Sequence, residues 1–580
     1  MITSEDFRLA NQSIVDVQIE LTVKNDDGTV VDRLYGVLNG GSIKIDSGSS
    51  VRRTASFSLT PTKQITNISE QSLVWLNKNV TVRLGILDQR TQQRVWYNQG
   101  VYLYQSANSS FDVSNNTMSI ELSDWVLKLD GTVNGQVGGA ITVVYQAYDE
   151  DPITGEPLQF TSIKKAVEDT LKSAGITPEN YEVQDIGEYY AMPQYNDDWE
   201  HYRDKYPLWN MIPYDQEFST GCSVWEILTT LVELYPNYDA AFDANGKFIV
   251  KMIPSEYTDA YDFLYDDYFD MVISEEISTE LTGIKNICEV WGESMDTDWY
   301  KDGVVHTTTD NYKVELEGYP TNGYVTGTRI AVKFDEPSVS GQLMQINNLP
   351  PLSIYNQITQ YDIGDNELDT SHIHVFYITR MKTENDNYVQ AFLYLGVSQA
   401  HGIDVLTDGT VIPNGYQDPT TLEYFDLYSK EYYEHVLNCD NVSLTINPDS
   451  PFTVQKLGNR IDVKADGEFN NITSNELALE RAQYENWKNS RLTDNVTITT
   501  KLMPFVEPYM KIDYKKQGYK ERNDYIVQSV SHDLDNGTTT ITMYTFYPLY
   551  KRQPGDTDRM TYKYMSGFLN KDLGGDEDEQ

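Results

Sequence analysis

The sequence predicts an α+β chain, mostly β and multidomain, with two similar β-barrels, a small α/β domain and a β-rich insertion. Three observations lead there. A chain of 580 residues, 39% of them hydrophobic, is too long for one core and divides into several domains. Apolar residues alternate with period 2 over most of its length, the pattern of half-buried strands. The third observation is a repeat: YLYQSANSSFD at 102–112 and YIVQSVSHDLD at 525–535 are nearly the same strand, and return strands VSNNTMSIEL and NGTTTITM follow them.

The first barrel is expected over 1–135. Val15, Val17, Ile19, Leu21 and Val23 alternate until NDDG at 25–28 turns the chain. Ala55, Phe57 and Leu59 alternate next, then Val80, Val82 and Leu84, before the hairpin of the repeat. Between 136 and 270 the period changes to 3.6 and a small α/β domain is expected. In TSIKKAVEDTLKSAG, Ile163, Ala166, Val167, Thr170, Leu171 and Ala174 share one face, Thr161 or Ser162 caps the start, and Gly175 ends the helix. In GCSVWEILTTLVELYP, Ser223 and Glu226 form a capping box and Pro236 stops the helix. That helix is expected to pack on the hairpin after it, which turns at Asn245-Gly246.

Strands resume with GIKNICEVWGES, and the second barrel is placed over 271–345 plus 473–550. Between its two parts lies a β-rich inserted domain, 346–472, holding the hairpin HVFYITRMKTENDNYVQAFLYLG. A third helix, LALERAQYENWKNSR, begins near Thr473 and Ser474 with Glu476 completing a capping box; Leu477, Tyr484 and Trp487 are its core candidates. Residues 551–580 read as an acidic C-terminal tail.

At an offset of 423 (525 minus 102), the repeat pairs Tyr102 with Tyr525, Gln105 with Gln528, Ser106 with Ser529 and Asp112 with Asp535. Leu103 with Ile526, Ala107 with Val530 and Phe111 with Leu534 match in hydrophobic character. Upstream, Phe57 and Leu59 are echoed by Val496 and Ile498, and Val80 and Val82 by Met510 and Ile512. The expected first core is therefore Phe57, Leu59, Val82, Leu103, Phe111 and Ile120, and the second Val496, Ile498, Ile512, Ile526, Leu534 and Ile541.

Charge excludes one class of partner. With 44 Lys and Arg against 88 Asp and Glu the net charge is -44, so the whole-molecule field repels nucleic acid and anionic lipid. No run of 18 apolar residues and no signal-like N-terminus occurs, so neither a membrane span nor secretion is expected. Cys222, Cys288 and Cys439 are few, odd in number and far apart, which predicts buried free thiols and folding in a reducing cytoplasm. Tyr outnumbers Phe by 43 to 18, a composition suited to half-buried sheets and wet interfaces.

Three segments carry a resemblance. They are LVWLNKNVTVRLGILDQRTQQRVWYNQGVYLYQS at 73–106, IPYDQEFSTGCSVWEILTTLVELYPNYDAAFDANGKFIV at 212–250, and SPFTVQKLGNRIDVKADGEFNNITSNELALERAQYENWK at 450–488. With the closing strands, they make the chain resemble the central hub proteins of tailed-phage tail tips and baseplates and of related contractile injection systems. The resemblance implies a virion protein, folded in the bacterial host cytoplasm, whose two tube-type barrels form a ring of six units in a homotrimer. Such a trimer adapts a sixfold tail tube to a threefold spike or tip. Its implied partners are the tail tube or distal tail protein, the tape measure protein and the spike or tip protein. DNA would pass through its channel without specific binding, past a wall of carboxylates. No hydrolase-like extension follows Tyr550, so no wall-degrading activity is implied.

The only close pair among the seven His is His372 and His374, which on a strand share a face but lack a placed Cys or carboxylate partner. LYDDYFD and NDDGT lack the spacing of a calcium loop, and no phosphate-binding, dinucleotide, zinc-protease or serine-hydrolase motif is present. The expectation is thus a non-enzymatic protein with no catalytic residue, cofactor or metal. A carbohydrate- or receptor-binding tail protein, using Tyr and Trp faces, is the alternative; a tail-associated glycoside hydrolase is the third reading.

Overall fold

A computed structural model describes residues 2–545 apart from 35–37, 61–71, 77, 112–115, 144–161, 185–211, 213–215, 235–237, 254–259, 293, 306–310, 357–361, 383–387, 411, 438, 440, 448, 466–468, 470–471, 473–474, 491–492 and 521. The acidic tail, Asp112, the Thr473-Ser474 cap, and the side chains of Phe111 and Leu477 lie outside the described residues. The fold is mostly β, in several sheets, and multidomain.

One sheet of twelve strands dominates. Seven come from the first part of the chain: β1 (Val17–Asn25), β2 (Val30–Leu34), β3 (Leu38–Asp46), β4 (Arg53–Leu59), β5 (Lys78–Leu87), β6 (Arg94–Phe111) and β7 (Asn116–Asp124). Five come from the second: β8 (Val272–Glu280), β9 (Thr493–Lys501), β10 (Lys511–Tyr514), β11 (Asn523–Asp533) and β12 (Thr538–Thr545). The strand path runs β8-β9-β12-β11-β3-β4-β7-β6-β5-β1-β2, with β10 also on β11.

Within that path one antiparallel arrangement occurs twice. The order β5-β6-β7-β4-β3 of the first unit equals β10-β11-β12-β9-β8 of the second, in the same chain sequence. The irregularities repeat as well. The β6–β7 ladder skips Gln105, and the β11–β12 ladder skips Gln528. The β3–β4 ladder slips between Leu38 and Gly40, and the β8–β9 ladder slips between Val272 and Ser274. A bulge inserts one unpaired residue and reverses which side chains face inward. Bulges at matched places therefore specify the same curvature in both copies.

The bulges also correct the expected cores. Before Gln105 the inward residues are Tyr102 and Tyr104, and after it Ala107; before Gln528 they are Tyr525 and Val527, and after it Val530. Leu103 and Ile526 are buried on the opposite face and belong to neither core cluster. Phe57, Leu59, Val82 and Ile120 line the first core, while Val496, Ile498, Ile512 and Ile541 line the second. Leu534 was expected in the second core but packs against the first, because its strand crosses from one unit to the other. Register moves two upstream matches by two residues: Phe57 corresponds to Ile498 and Val80 to Ile512, since each opposes an equivalent partner. A two-residue slip keeps the face, so the buried set survives.

The small α/β region follows its sequence signals. Ser162 caps the helix Ile163–Ser173, accepting from the Lys165 N–H, and Ser223 with Glu226 caps the helix Val224–Glu233. The second helix packs on the hairpin Tyr238–Phe242 and Phe248–Met252, with Trp225 edge-on to Phe248 at 6.4 Å. Residues 287–345, read from sequence as part of the second barrel, ladder instead with one another and with 346–464. Ile287–Trp291 pairs with His401–Thr407 and Ile461–Lys464, and Trp299–Val304 and Asn311–Val314 join a seven-stranded sheet built on the 373–397 hairpin. Period 2 identifies a strand but not the sheet that receives it. The helix Asn475–Asn489 covers the smaller of these sheets, where the Asn486 side-chain amide donates to the Asp404 carboxylate at 2.9 Å.

Phe57→Ala and Ile498→Ala, at equivalent positions of the two cores, should each destabilise the sheet by about 2–5 kcal/mol. Chemical unfolding monitored by circular dichroism checks this: two shifts of that size are expected.

Candidate assembly interface

The two units meet edge to edge. Ser529–Asp533 of β11 pairs antiparallel with Asp46–Ser42 of β3 in five successive residue pairs. The Ser47 N–H donates to the Gln528 carbonyl at 2.9 Å and the Leu534 N–H to the Gly41 carbonyl at 3.0 Å, extending the ladder at both ends. Glycine at 40 permits the approach, and glycine at 41 lets β3 lie close on β4. A Cβ on Gly40 would lie 1.7 Å from an Asp535 carboxylate oxygen, and one on Gly41 would lie 2.4 Å from the Ser56 carbonyl. Their φ values of +140° and +157° suit glycine and few other residues.

Beneath the ladder, Arg52 and Arg53 tie three parts of the chain together. The buried Arg53 guanidinium donates to the Gln99 carbonyl at 3.1 Å, to the Phe242 carbonyl at 3.2 Å and to the Glu507 carboxylate at 2.5 Å. Its own backbone N–H donates to the Asp124 carboxylate at 2.9 Å. Arg52 reaches Asp239 at 2.5 Å, and the Gln99 side chain donates to the Pro504 carbonyl at 2.7 Å. Burial alone would lower the Arg53 pKa, but Glu507, Tyr102 and Asp124 together outweigh it and hold the side chain charged. Burial pushes Asp124 up to about 6 against the bonds it accepts from Arg53 and Val126. Removing one partner of so buried a pair costs far more than a surface ion pair would. Sequence reading missed this cluster; the adjacent arginines at the start of a strand that otherwise alternates small polar and apolar residues were its only signal.

His532 sits inside the ladder, opposite Ile43 and fully buried, with Nδ1 2.9 Å from the Thr539 hydroxyl. Burial, and then the Arg53 charge, lower its pKa to about 3. The residue is thus a neutral core histidine.

The other candidates of the sequence take hydrogen-bonded or packed positions. The His372 Nδ1 lies 2.6 Å from an Asp369 carboxylate oxygen, and the buried His374 bridges the Asp369 carbonyl at 2.9 Å and the Tyr394 hydroxyl at 3.0 Å. Burial would raise the Asp369 pKa, yet bonds from His372 and Ser371 hold it well below the carboxylate range. No group of three metal-ligating side chains occurs among the described residues. LYDDYFD forms the short helix Tyr265–Tyr268, whose Tyr265 and Tyr268 pack on Tyr514; NDDGT is a turn closed by the Thr29 N–H on Asp27. The three cysteines are free and buried. No helix among the described residues is long and apolar enough to cross a membrane.

Residues 449–550, well under half of the chain, match a family model described as a domain of unknown function, DUF5048. The match covers β9 to β12 and the end of the insertion. Among solved structures, the chain is similar to the 43 kDa tail protein of prophage MuSo2 from Shewanella oneidensis, at 10% identity over 91% of this chain and 98% of that one, TM-score 0.40. It is similar to a tail protein from Neisseria meningitidis MC58 at 8% identity, over 91% and 96%, TM-score 0.36. It is also similar to the prophage tail protein gp18 from Listeria monocytogenes EGD-e at 9%, over 91% and 94%, TM-score 0.36. No curated protein matches.

Acid should loosen the His532 site. Its folded pKa of about 3 lies below the ordinary histidine value of 6.5, so the unfolded chain takes up the proton first. Stability from this group is complete above pH 6.5 and falls by roughly 1.4 kcal/mol per pH unit below it. Asp124 works in the opposite sense between about pH 6 and its ordinary 3.8, because its raised pKa favours the folded protonated form. The difference between wild type and His532→Gln isolates the histidine, because Asp124 cancels in it: the wild-type-minus-variant unfolding free energy should fall by roughly 1.4 kcal/mol per pH unit as the pH is lowered from 6.5 to 4.5.

Proposed function

We propose that this chain is a structural hub of a bacteriophage tail tip or baseplate, a non-enzymatic homotrimer that adapts a sixfold tail tube to a threefold spike or tip. The observation that carries this reading is the repeated five-strand unit with its bulges at matched places. Two copies of one unit per chain, in three chains, make six similar units around a threefold axis, which is what joining sixfold to threefold requires. The resemblance of the segments at 73–106, 212–250 and 450–488 to hub proteins points the same way.

On this reading the first tube-type unit is the sheet region 17–124, and the second is 272–280 with 493–545. The α/β region and the insertion between β8 and β9 are peripheral bodies that hold the neighbouring spike or tip. The tail tube or distal tail protein and the tape measure protein are the partners above. The -44 charge would line a channel past which DNA slides without phosphate contacts.

Native mass spectrometry of the full chain, with end-on images of the same sample, tests the reading. The expected species has three times the 66.4 kDa chain mass and projects as a ring with six similar lobes around an open centre. A chain that stays monomeric at micromolar concentration, or a ring with another number of chains, would overturn it.

A further inference from the structure

A cleft of about 230 Å³ opens where three parts of the chain meet: the end of β3 with the start of β4, the hairpin Tyr238–Phe242 and Phe248–Met252, and the loop at 507–509. It exceeds the roughly 150 Å³ of an apolar cavity large enough to take up benzene.

The hairpin supplies one wall. One of its faces, with Tyr238, Ala240, Phe242, Phe248 and Val250, is buried in the core of the α/β region. The other carries two cross-strand pairs, Asp239 opposite Lys251 and Ala241 opposite Ile249, and looks into the cleft. Ala241 and Ile249 are half-buried, so an apolar strip stays reachable from solvent, and Ile45 of β3 adds a third apolar side chain to the lining.

A second wall is held in a costly conformation. Tyr509 has φ +65°, in the left-handed region that a tyrosine rarely adopts, and its N–H is tied to the Val527 carbonyl at 2.8 Å. Its side chain lines the cleft. Strain of this kind persists only where the surroundings over-determine it, and it gathers at binding sites.

Six charged residues line the cleft, three of each sign: Arg52, Arg53 and Lys251 against Asp239, Asp243 and Glu507. The lining is therefore balanced, and a charged ligand would give up its hydration without meeting a net countercharge. Two groups still offer hydrogen bonds. The Arg52 Nε is buried and has no partner among the described residues, although a terminal nitrogen of the same side chain reaches Asp239 at 2.5 Å. The Asp239 carboxylate accepts from Arg52 and from the Tyr509 hydroxyl, two of the roughly four bonds that a carboxylate can take. A donor and an acceptor side by side match an amide, whose carbonyl accepts while its N–H donates.

We propose that this cleft binds an uncharged peptide segment of a partner protein, which lays one apolar side chain on Ala241 and Ile249 while its peptide group bonds to Arg52 and Asp239. The site does not depend on the hub reading, because a single chain carries all of its walls.

Ligand-observed NMR titration of the full chain tests the proposal with N-acetyl-leucinamide, which is neutral, N-acetyl-leucine, an anion, and leucinamide, a cation. The neutral probe is expected to bind at least ~tenfold more tightly than either charged one. Ala241→Phe fills the cleft and should abolish binding while circular dichroism stays native. Should that variant fail to fold, Ile249→Ala, which adds no bulk, is expected to weaken binding by about fivefold. Lys251→Gln leaves the lining with one negative charge in excess, so leucinamide should gain affinity relative to N-acetyl-leucine. The site is overturned by no saturable binding of the neutral probe, by a charged probe that binds as tightly, by unchanged affinity in the Ala241→Phe or Ile249→Ala variant, or by a probe preference that Lys251→Gln does not move.

Discussion

A ladder of five residue pairs between β3 and β11 is the contact on which the rest of the architecture depends. It converts two independently curved units, each with its own apolar core, into one continuous sheet of twelve strands. Backbone hydrogen bonds fix distance and angle together, which a side-chain contact of similar area would not do. The buried Arg53, with Glu507, Asp124 and the Gln99 and Phe242 carbonyls, then locks the α/β region onto the same seam. A charge so placed contributes position more than stability, because its partners are useful only in one arrangement.

The two long excursions of the chain leave this frame where they do least damage. The α/β region follows β7 and leads into β8, so it lies between units and interrupts no ladder. The insertion enters after β8, at the outer margin of the second unit, and returns to β9, its neighbour in the sheet. Strand ends that are adjacent in space tolerate long connections, since the closing entropy grows only slowly with length. The inserted part folds on three sheets of its own among the described residues and shares a core with the α/β region through Cys288, Val290, Ala478 and Ala482.

Much of this was legible in the sequence, for physical reasons that can be named. The repeat showed because Tyr102 and Tyr525, Gln105 and Gln528, and the apolar positions around them answer the same packing demands. Helices with Ser caps and hairpins with an Asn-Gly turn were legible because their signals are local. The bulges were not: Gln105 and Gln528 stood out as identical letters, but a bulge reverses the inward face without altering composition, so Leu103 and Ile526 were assigned to the wrong side. Leu534 was misplaced because a residue at the end of a crossing strand packs on the unit it reaches. The destination of Ile287–Trp291 was hidden because any sheet accepts an alternating strand. The Arg53 seam depends on groups at 99, 124, 242 and 507, and no local pattern announces a contact among them.

The central claim, that the β3–β11 ladder is a structural frame and not a loose contact between two bodies, is open to one direct measurement. Amide hydrogen exchange on the full chain reads it at Ile45 and Val530, whose N–H groups point across the joint. If the ladder is the frame, these amides exchange in the slowest class, together with those of the β6–β7 and β11–β12 ladders. Rapid exchange at Ile45 and Val530 while both internal ladders remain protected would contradict the account.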